Sequence, residues 1–265
     1  MTKTIAPQIG LCIMYPSPGV VERIGGDWDW IWLDGQHGQL AGYREMLDAV
    51  RACDVIRRPA FVRVPSVEGG WIGLALDMGA AAVIVPQVEN AEMARAAVRG
   101  AKFPPLGERS YGGRRPIDRG GRLYSDEANS ATKLVCQIES PTALRNAEEI
   151  AAVPGVDALF LGPDDLLLRE GVGMNVPRTQ ELLGDTMKIV AGACRKHGKT
   201  AFTVAVAPDM IAFAVSCGFQ YIVVGGDVPF LANGSQTAAA AARKAIGETT
   251  SVPQNAEPAG PRPIY

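Results

Sequence analysis

Hydrophobic and polar positions along this chain follow one repeated rhythm. Short runs dominated by Val, Ile, Leu and aromatic residues read as strands at 8–14 (QIGLCIM), 29–34 (DWIWLD), 60–65 (AFVRVP), 82–88 (AVIVPQV), 133–139 (KLVCQIE), 156–162 (VDALFLG), 201–206 (AFTVAV) and 220–225 (QYIVVG). Between them lie stretches such as YREMLDAVRACD, NAEMARAAVRGAKF and PTALRNAEEIAAV, in which apolar residues recur at three and four, the spacing of a helix with one buried face. Strands that are apolar on both faces, each followed by a helix, belong to a buried parallel sheet. Eight such units in 265 residues predict a closed (β/α)8 barrel, the TIM-barrel architecture, as a single domain over 1–247. The stretch 248–265, ETTSVPQNAEPAGPRPIY, is rich in Pro and short of core residues, which predicts a disordered or draped extension.

Composition narrows the partners. The formal charge is −2 and 47% of residues are hydrophobic, so the chain lacks the uncompensated Lys and Arg that collect nucleic acid or an anionic membrane. A small-molecule ligand is the expectation. Cys12, Cys53, Cys136, Cys194 and Cys217 are odd in number, far apart and set in apolar runs without CxxC spacing, which points to reduced structural thiols in a cytoplasm. The opening MTKTIAPQIGLCIMYPSP has no basic segment followed by a long apolar one, so neither secretion nor membrane insertion is expected.

In a barrel of this kind the reactive groups sit at the C-terminal ends of the strands. The run DWDWIWLDGQHGQL, residues 27–40, leaves its apolar stretch at Asp34 and is followed by His37. The third strand ends near Arg63, the fifth at Gln137 and Glu139, and the sixth in LGPDDL with Asp164 and Asp165. A single acid at a strand end has a ready reading as a helix cap. A histidine, an arginine and several acids on four strands of one rim do not, because burying charges together is costly unless a ligand or metal balances them. The other histidine, His197 in CRKHGK, reads as a charge partner at a helix C-terminus.

Glu139 and Asp165 lie on neighbouring strands at the pocket end, where their carboxylates can face one centre. Two carboxylates without Cys or His suit a hard cation such as Mg²⁺ or Mn²⁺ that keeps water or substrate oxygens in its other positions. A glycosidase pair is the alternative, but the arginine and the narrow GPDDL turn favour a small anionic ligand. Schiff-base chemistry would need a lysine in the pocket. Lys133 and Lys199 precede strands, at the opposite end, while Lys102, Lys188, Lys196 and Lys244 lie on or beside helices and Lys3 in the N-terminal segment.

Taken together, DWIWLDGQHG, AFVRVP, LDMGAAAVIVPQVENAEMARAAVRGAKFPPLGERS, VCQIES and GVDALFLGPDDL resemble the HpcH/HpaI aldolase family, over residues 8–246. The resemblance implies a class II aldolase that uses a divalent metal (Mg²⁺, Mn²⁺ or Co²⁺) and joins or releases pyruvate and an aldehyde, with 4-hydroxy-2-oxo acids as substrates. It assigns Glu139 and Asp165 to the metal. Gln137, the Asp164 main chain, Asp165 and Val204 would contact substrate, Arg63 would steady the enolate, His37 would take the proton, and Asp34 would belong to the catalytic group. Family members commonly carry Glu before the histidine; Gln36 here removes one negative charge beside it.

By the same resemblance, Asp77 in GWIGLALDMGAAA would reach His37 of a neighbouring subunit and raise its basicity, although alone it reads as an exposed or hydrogen-bonded acid. A homohexamer follows, a trimer of dimers that exchange the last helix, VPFLANGSQTAAAAARKAIG. Residues 104–129 carry Arg109, Arg114, Arg115, Arg119 and Arg122 among glycines and read as a lid or interface segment, with one arginine available to a carboxylate on the acceptor aldehyde. Two other functions fit the residues. One is an oxaloacetate decarboxylase using the same metal and enolate. The other is a barrel that binds a phosphate-bearing ligand through VVGGDV without aldol chemistry.

Overall fold

The computed structural model describes residues 6–247, so the expected 248–265 extension lies outside the described residues. Eight parallel strands close into a barrel in sequence order: β1 (Gln8–Ile13), β2 (Trp30–Asp34), β3 (Ala60–Arg63), β4 (Ala82–Val85), β5 (Lys133–Ile138), β6 (Ala158–Leu161), β7 (Thr200–Val204) and β8 (Tyr221–Gly226). The helices are α1 (Pro18–Ile24), α2 (Tyr43–Val55), α3 (Gly69–Asp77), α4 (Ala91–Ala101), α5 (Arg114–Gly120), α6 (Tyr124–Ala131), α7 (Pro141–Arg145), α8 (Ala147–Ala151), α9 (Pro163–Arg169), α10 (Gln180–Lys196), α11 (Pro208–Cys217) and α12 (Asp227–Ala245). The strands start and stop within a few residues of the runs read from hydropathy. β4 stops early because Pro86 has no N–H for the ladder and Gln87 takes a φ of 56°.

Alternation along each strand sorts side chains between two cores. Leu11, Ile31, Val62, Val83, Leu134, Leu159 and Ile222 face the helices, whereas Trp30, Trp32, Phe61, Ile84, Val135, Phe160, Phe202 and Val223 fill the barrel. Trp30 lies 4.8 Å from Phe61 and 5.8 Å from Phe202, whose ring stacks on Tyr221 at 4.4 Å. Burying a side chain of this size contributes about 1.5–3 kcal/mol, so this aromatic plug is a major part of the interior. Gly10 makes room for it, since a Cβ there would stand 2.3 Å from the Trp30 indole. The barrel is sealed where its first and last strands meet by Asp227, fully buried, which accepts N–H bonds from Met14 and Tyr15 at 3.0–3.1 Å. Gly225 and Gly226 of VVGGDV are spent as β8, paired with Leu11 and Cys12. A buried carboxylate of the chain itself, Asp227, closes that motif, where an incoming phosphate would meet like charge.

Residues 104–129 are not a plain loop. They hold α5 and most of α6, and they join α4 to β5, which places them at the N-terminal end of the barrel, away from the rim. Arg115 and Arg119 both bind Asp54, Arg114 binds Asp118, and Arg109 binds Asp77 at 2.7 Å. The segment is therefore pinned to its own barrel and cannot cover its own active end. All five cysteines are free, and burial pushes the Cys53, Cys136 and Cys194 thiols up to about 12, as expected of inert structural groups.

The chain divides into two compact units, one ending at Asp227 and the other starting at Val228. Within the second, described as far as Gly247, every residue from Pro229 onward is exposed, including Phe230, Leu231 and Ile246. Among the described residues no helix is long and apolar enough to cross a membrane.

Lys102 is 1% exposed and donates to the carbonyls of Asn129 and Thr132 and to Asp157 at 2.7–2.9 Å, tying α4, α6, β5 and β6 together below the barrel. Its place confirms that it is a structural cation and not a Schiff-base lysine. Replacing it with Met should cost about 1–3 kcal/mol of stability, because two carbonyls and a carboxylate lose their donor. Urea unfolding of Lys102→Met measures this.

Candidate active site

The strand alternation that points Trp30 and Trp32 into the barrel also points Asp34 inward, one layer nearer the rim. In register with it on β3 is Arg63. The two form a bidentate pair, Nε to Oδ1 at 2.8 Å and Nη2 to Oδ2 at 2.6 Å, with Asp34 1% and Arg63 6% exposed. Asp34 also accepts the N–H groups of Gln36 and His37 at 3.0 and 3.3 Å, so one carboxylate fixes both the arginine and the turn that carries the histidine. Burial alone would raise the Asp34 carboxyl, but Arg63 and the two N–H groups hold it below the usual aspartate range. The guanidinium lies over Trp32, 4.7 Å from the ring centre.

Two strands further round, β5 sends Gln137 inward and ends just before Glu139, which also turns into the cavity. Glu139 accepts the Gln137 amide at 2.6 Å and the Gln87 N–H at 2.7 Å. The left-handed φ of Gln87 accompanies this inward contact. Burial, with the negative charge of Asp165 adding to it, raises the Glu139 carboxyl above the usual range despite the Gln87 bond. Gly162 lets β6 close against this pair, since a Cβ there would sit 2.7 Å from the Gln137 amide nitrogen.

These groups meet in one cavity of about 180 Å³ at the C-terminal end of the strands. Its polar lining is His37, Arg63, Gln137, Glu139, Asp164 and Asp165, and its apolar wall includes Trp32, Phe160, Pro163 and Val204. Six of the expected polar groups and Val204 are thus brought together. Asp34 stands behind Arg63 as its clamp. Asp77 is elsewhere, at the C-terminal end of α3 in a separate groove of about 720 Å³, paired with Arg109. His197 caps the end of α10, 3.9 Å from Glu148, in keeping with a structural role.

The donor set fits a hard divalent cation. Two carboxylates face one cavity, burial and the charge of Asp165 raise the Glu139 carboxyl even with Arg63 and Arg169 acting against them, and Gln137 Oε1 is buried beside them without a hydrogen-bond partner. Among the described residues no group of three or more His, Cys, Asp and Glu forms a closed cation cage, so an ion here would take its remaining oxygens from substrate and water. Sequence reasoning missed the Gln87 N–H and Trp32, whose buried indole N–H has no partner. It also missed Arg178, which binds Asp164 at the mouth. Gln36, beside His37, keeps its amide oxygen buried without a hydrogen-bond partner.

Comparison with known proteins follows the same lines. The model of the HpcH/HpaI aldolase/citrate lyase family matches residues 17–234. A 2-dehydro-3,6-dideoxy-6-sulfogluconate aldolase of Pseudomonas putida is 34% identical over 87% of this chain and 91% of its own. A 4-hydroxy-2-oxovalerate aldolase of Novosphingobium aromaticivorans is 43% identical over 62% of this chain and 64% of its own. The crystal structure of an HpcH/HpaI aldolase/citrate lyase family protein from Burkholderia cenocepacia superposes with a TM-score of 0.80 at 29% identity, covering 90% of this chain and 95% of that one. With most of its barrel matched in sequence and in fold, the chain belongs to the HpcH/HpaI aldolase/citrate lyase family.

Proposed function

We propose that this chain is a class II pyruvate aldolase, a carbon–carbon lyase that makes or breaks 4-hydroxy-2-oxo acids through a pyruvate enolate. The relatives that carry aldolase names support the lyase class. The observation that carries the finer reading is the convergence of His37, the clamped Arg63 and the Glu139–Asp165 pair on one cavity. Glu139 and Asp165 would hold Mg²⁺, Mn²⁺ or Co²⁺, which when bound supplies Lewis-acid stabilisation of negative charge on the keto oxygen.

The residues of the chain do the rest. Gln137 and the Asp164 main chain orient the 2-oxo acid. In cleavage His37 removes the proton from the 4-hydroxyl, the C3–C4 bond breaks as the aldehyde carbonyl forms, and the electron pair stays on the enolate. Return of that proton from His37 to C3 then yields pyruvate and restores the neutral base. Arg63 lies beside the developing negative charge and cannot swing away, because Asp34 grips it at two points. Trp32, Phe160 and Val204 keep the reacting carbon among apolar groups.

The active form we propose is a homohexamer in the cytoplasm. Free thiols support the compartment, and the exposed apolar residues of α12 support exchange of that helix with another copy. Asp77 ends a helix running opposite to the strands, whereas His37 follows a strand end, so contact between them would join two chains.

Three outcomes test this. Chelation should abolish pyruvate release, and Glu139→Ala or Asp165→Ala should prevent its recovery at ordinary Mg²⁺ or Mn²⁺ concentrations; full metal-independent turnover would sink the class II reading. Asp34→Asn should lower kcat about 100-fold by loosening Arg63, and should cost about 3 kcal/mol at neutral pH by leaving a buried cation unpaired. Because the folded-state pKa of Asp34 is depressed, the stability it adds is present above the ordinary aspartate range and is lost as pH falls through the lowered value. Unfolding curves of wild type and Asp34→Asn should therefore converge in acid. Mixing inactive His37→Ala and Asp77→Asn subunits should restore part of the activity if the site is shared, whereas mixed oligomers no better than their parents would confine Asp77 to its own chain.

A further inference from the structure

We infer that the acceptor aldehyde of this enzyme is uncharged, because the cations near the mouth of the cavity, Arg178 on Asp164 above all, are already paired with the chain's own acids and leave none free to receive a second anion. The inference rests on the aldolase reading and extends it to substrate class.

Among the described residues the cavity lining contains one guanidinium, Arg63, and two of its three nitrogens are taken by Asp34. Beyond the lining, Arg169 of α9 is paired with Glu89 at 3.2 Å, and Arg178 lies in the segment between α9 and α10. It lays Nε and Nη2 on the same oxygen of Asp164, at 2.9 and 2.8 Å. Its Nη1 donates to the Val176 carbonyl at 2.6 Å, and Nη2 also meets the Met174 sulfur at 3.4 Å. Its side chain is 23% exposed, compared with 65% for Asp164, so the arginine is held back while the carboxylate looks outward. A free arginine at this place would be a natural receiver for a carboxylate at the far end of the aldehyde. Here that position is filled by the chain's own acid.

The wider balance of charge points the same way. Around the cavity stand Asp34, Glu139, Asp164, Asp165 and, just outside it, Glu89, against Arg63, Arg178 and Arg169. A divalent cation between Glu139 and Asp165 would offset the two surplus acids, and pyruvate would then bring a negative charge of its own. An aldehyde with a second carboxylate would meet that charge and Asp164 together. The arginines of 104–129 offer no relief within the chain, since the segment lies at the other end of the barrel, where Arg109, Arg114, Arg115 and Arg119 are in addition paired with Asp77, Asp118 and Asp54.

The test compares butanal with succinic semialdehyde, which share a four-carbon skeleton and differ in the terminal carboxylate. With Mg²⁺ and pyruvate present, wild type should show at least a tenfold higher kcat/KM for butanal. Arg178→Gln, which unmasks Asp164, should raise that preference further, and Asp164→Asn, which releases Arg178, should lower it, each by about fivefold, the size of one charge interaction near a wet surface. The change should lie in the aldehyde KM and shrink with added salt, while Arg178→Lys, which keeps the charge, should stay close to wild type. Exchange of the pyruvate methyl protons in D₂O, followed by NMR without any aldehyde, reports the enolate chemistry separately. Exchange with a preference for succinic semialdehyde, or with selectivity unmoved by both variants, overturns the inference and spares the aldolase reading. No exchange in wild type overturns both.

Discussion

A guanidinium placed inside a barrel has to be neutralised and held, and the active end of this protein is organised around meeting that requirement. Arg63 lies at the top of an interior filled with aromatic rings, where an unpaired cation would be costly. Asp34 neutralises it through two hydrogen bonds, and the strand register that sets the two side by side also sets Trp32 beneath the guanidinium plane. The same carboxylate ties down the first residues of the turn bearing His37. In the proposed reaction, proton transfer and charge stabilisation would therefore share one anchor. The wall at the ends of β5 and β6 is built differently, with the charge of Asp165 adding to burial in raising the Glu139 carboxyl, a state that the proposed cation would relieve.

Much of this was legible in the chain before any coordinates. The barrel follows from strands apolar on both faces and from the regular return of helix periodicity after each. The rim follows from polar residues at the ends of those strands, which is why His37, Arg63, Gln137, Glu139, Asp164 and Asp165 could be picked out. What Asp34 does was not legible, because its partner is 29 residues away and only the β2–β3 register shows that they are side by side. The Gln87 contact was hidden for another reason: it uses a backbone N–H, and any residue except proline carries one. Arg178 lies in an irregular segment where neither period applies.

The segment 104–129 teaches a different lesson. Its arginines and glycines suggested a lid or an interface segment, and connectivity alone argues against a lid over its own site, since a piece of chain that leaves a helix and enters a barrel strand is at the end opposite to the reactive rim. Composition describes what a segment is made of, and the order of elements says where it can be. Here the arginines serve as ties, two of them on the single carboxylate of Asp54.

The seam between β1 and β8 bears on how the protein is made. Asp227 accepts hydrogen bonds from Met14 and Tyr15, some 213 residues earlier in the chain, so the barrel cannot close on the ribosome until its last strand has emerged. Until then β1 presents an open edge with unmet backbone groups, able to pair with another nascent chain. Contacts of such long sequence separation form slowly. The interval between synthesis of the first strand and arrival of the eighth is when this enzyme is most exposed to misassembly, and when a chaperone would have the most to shield.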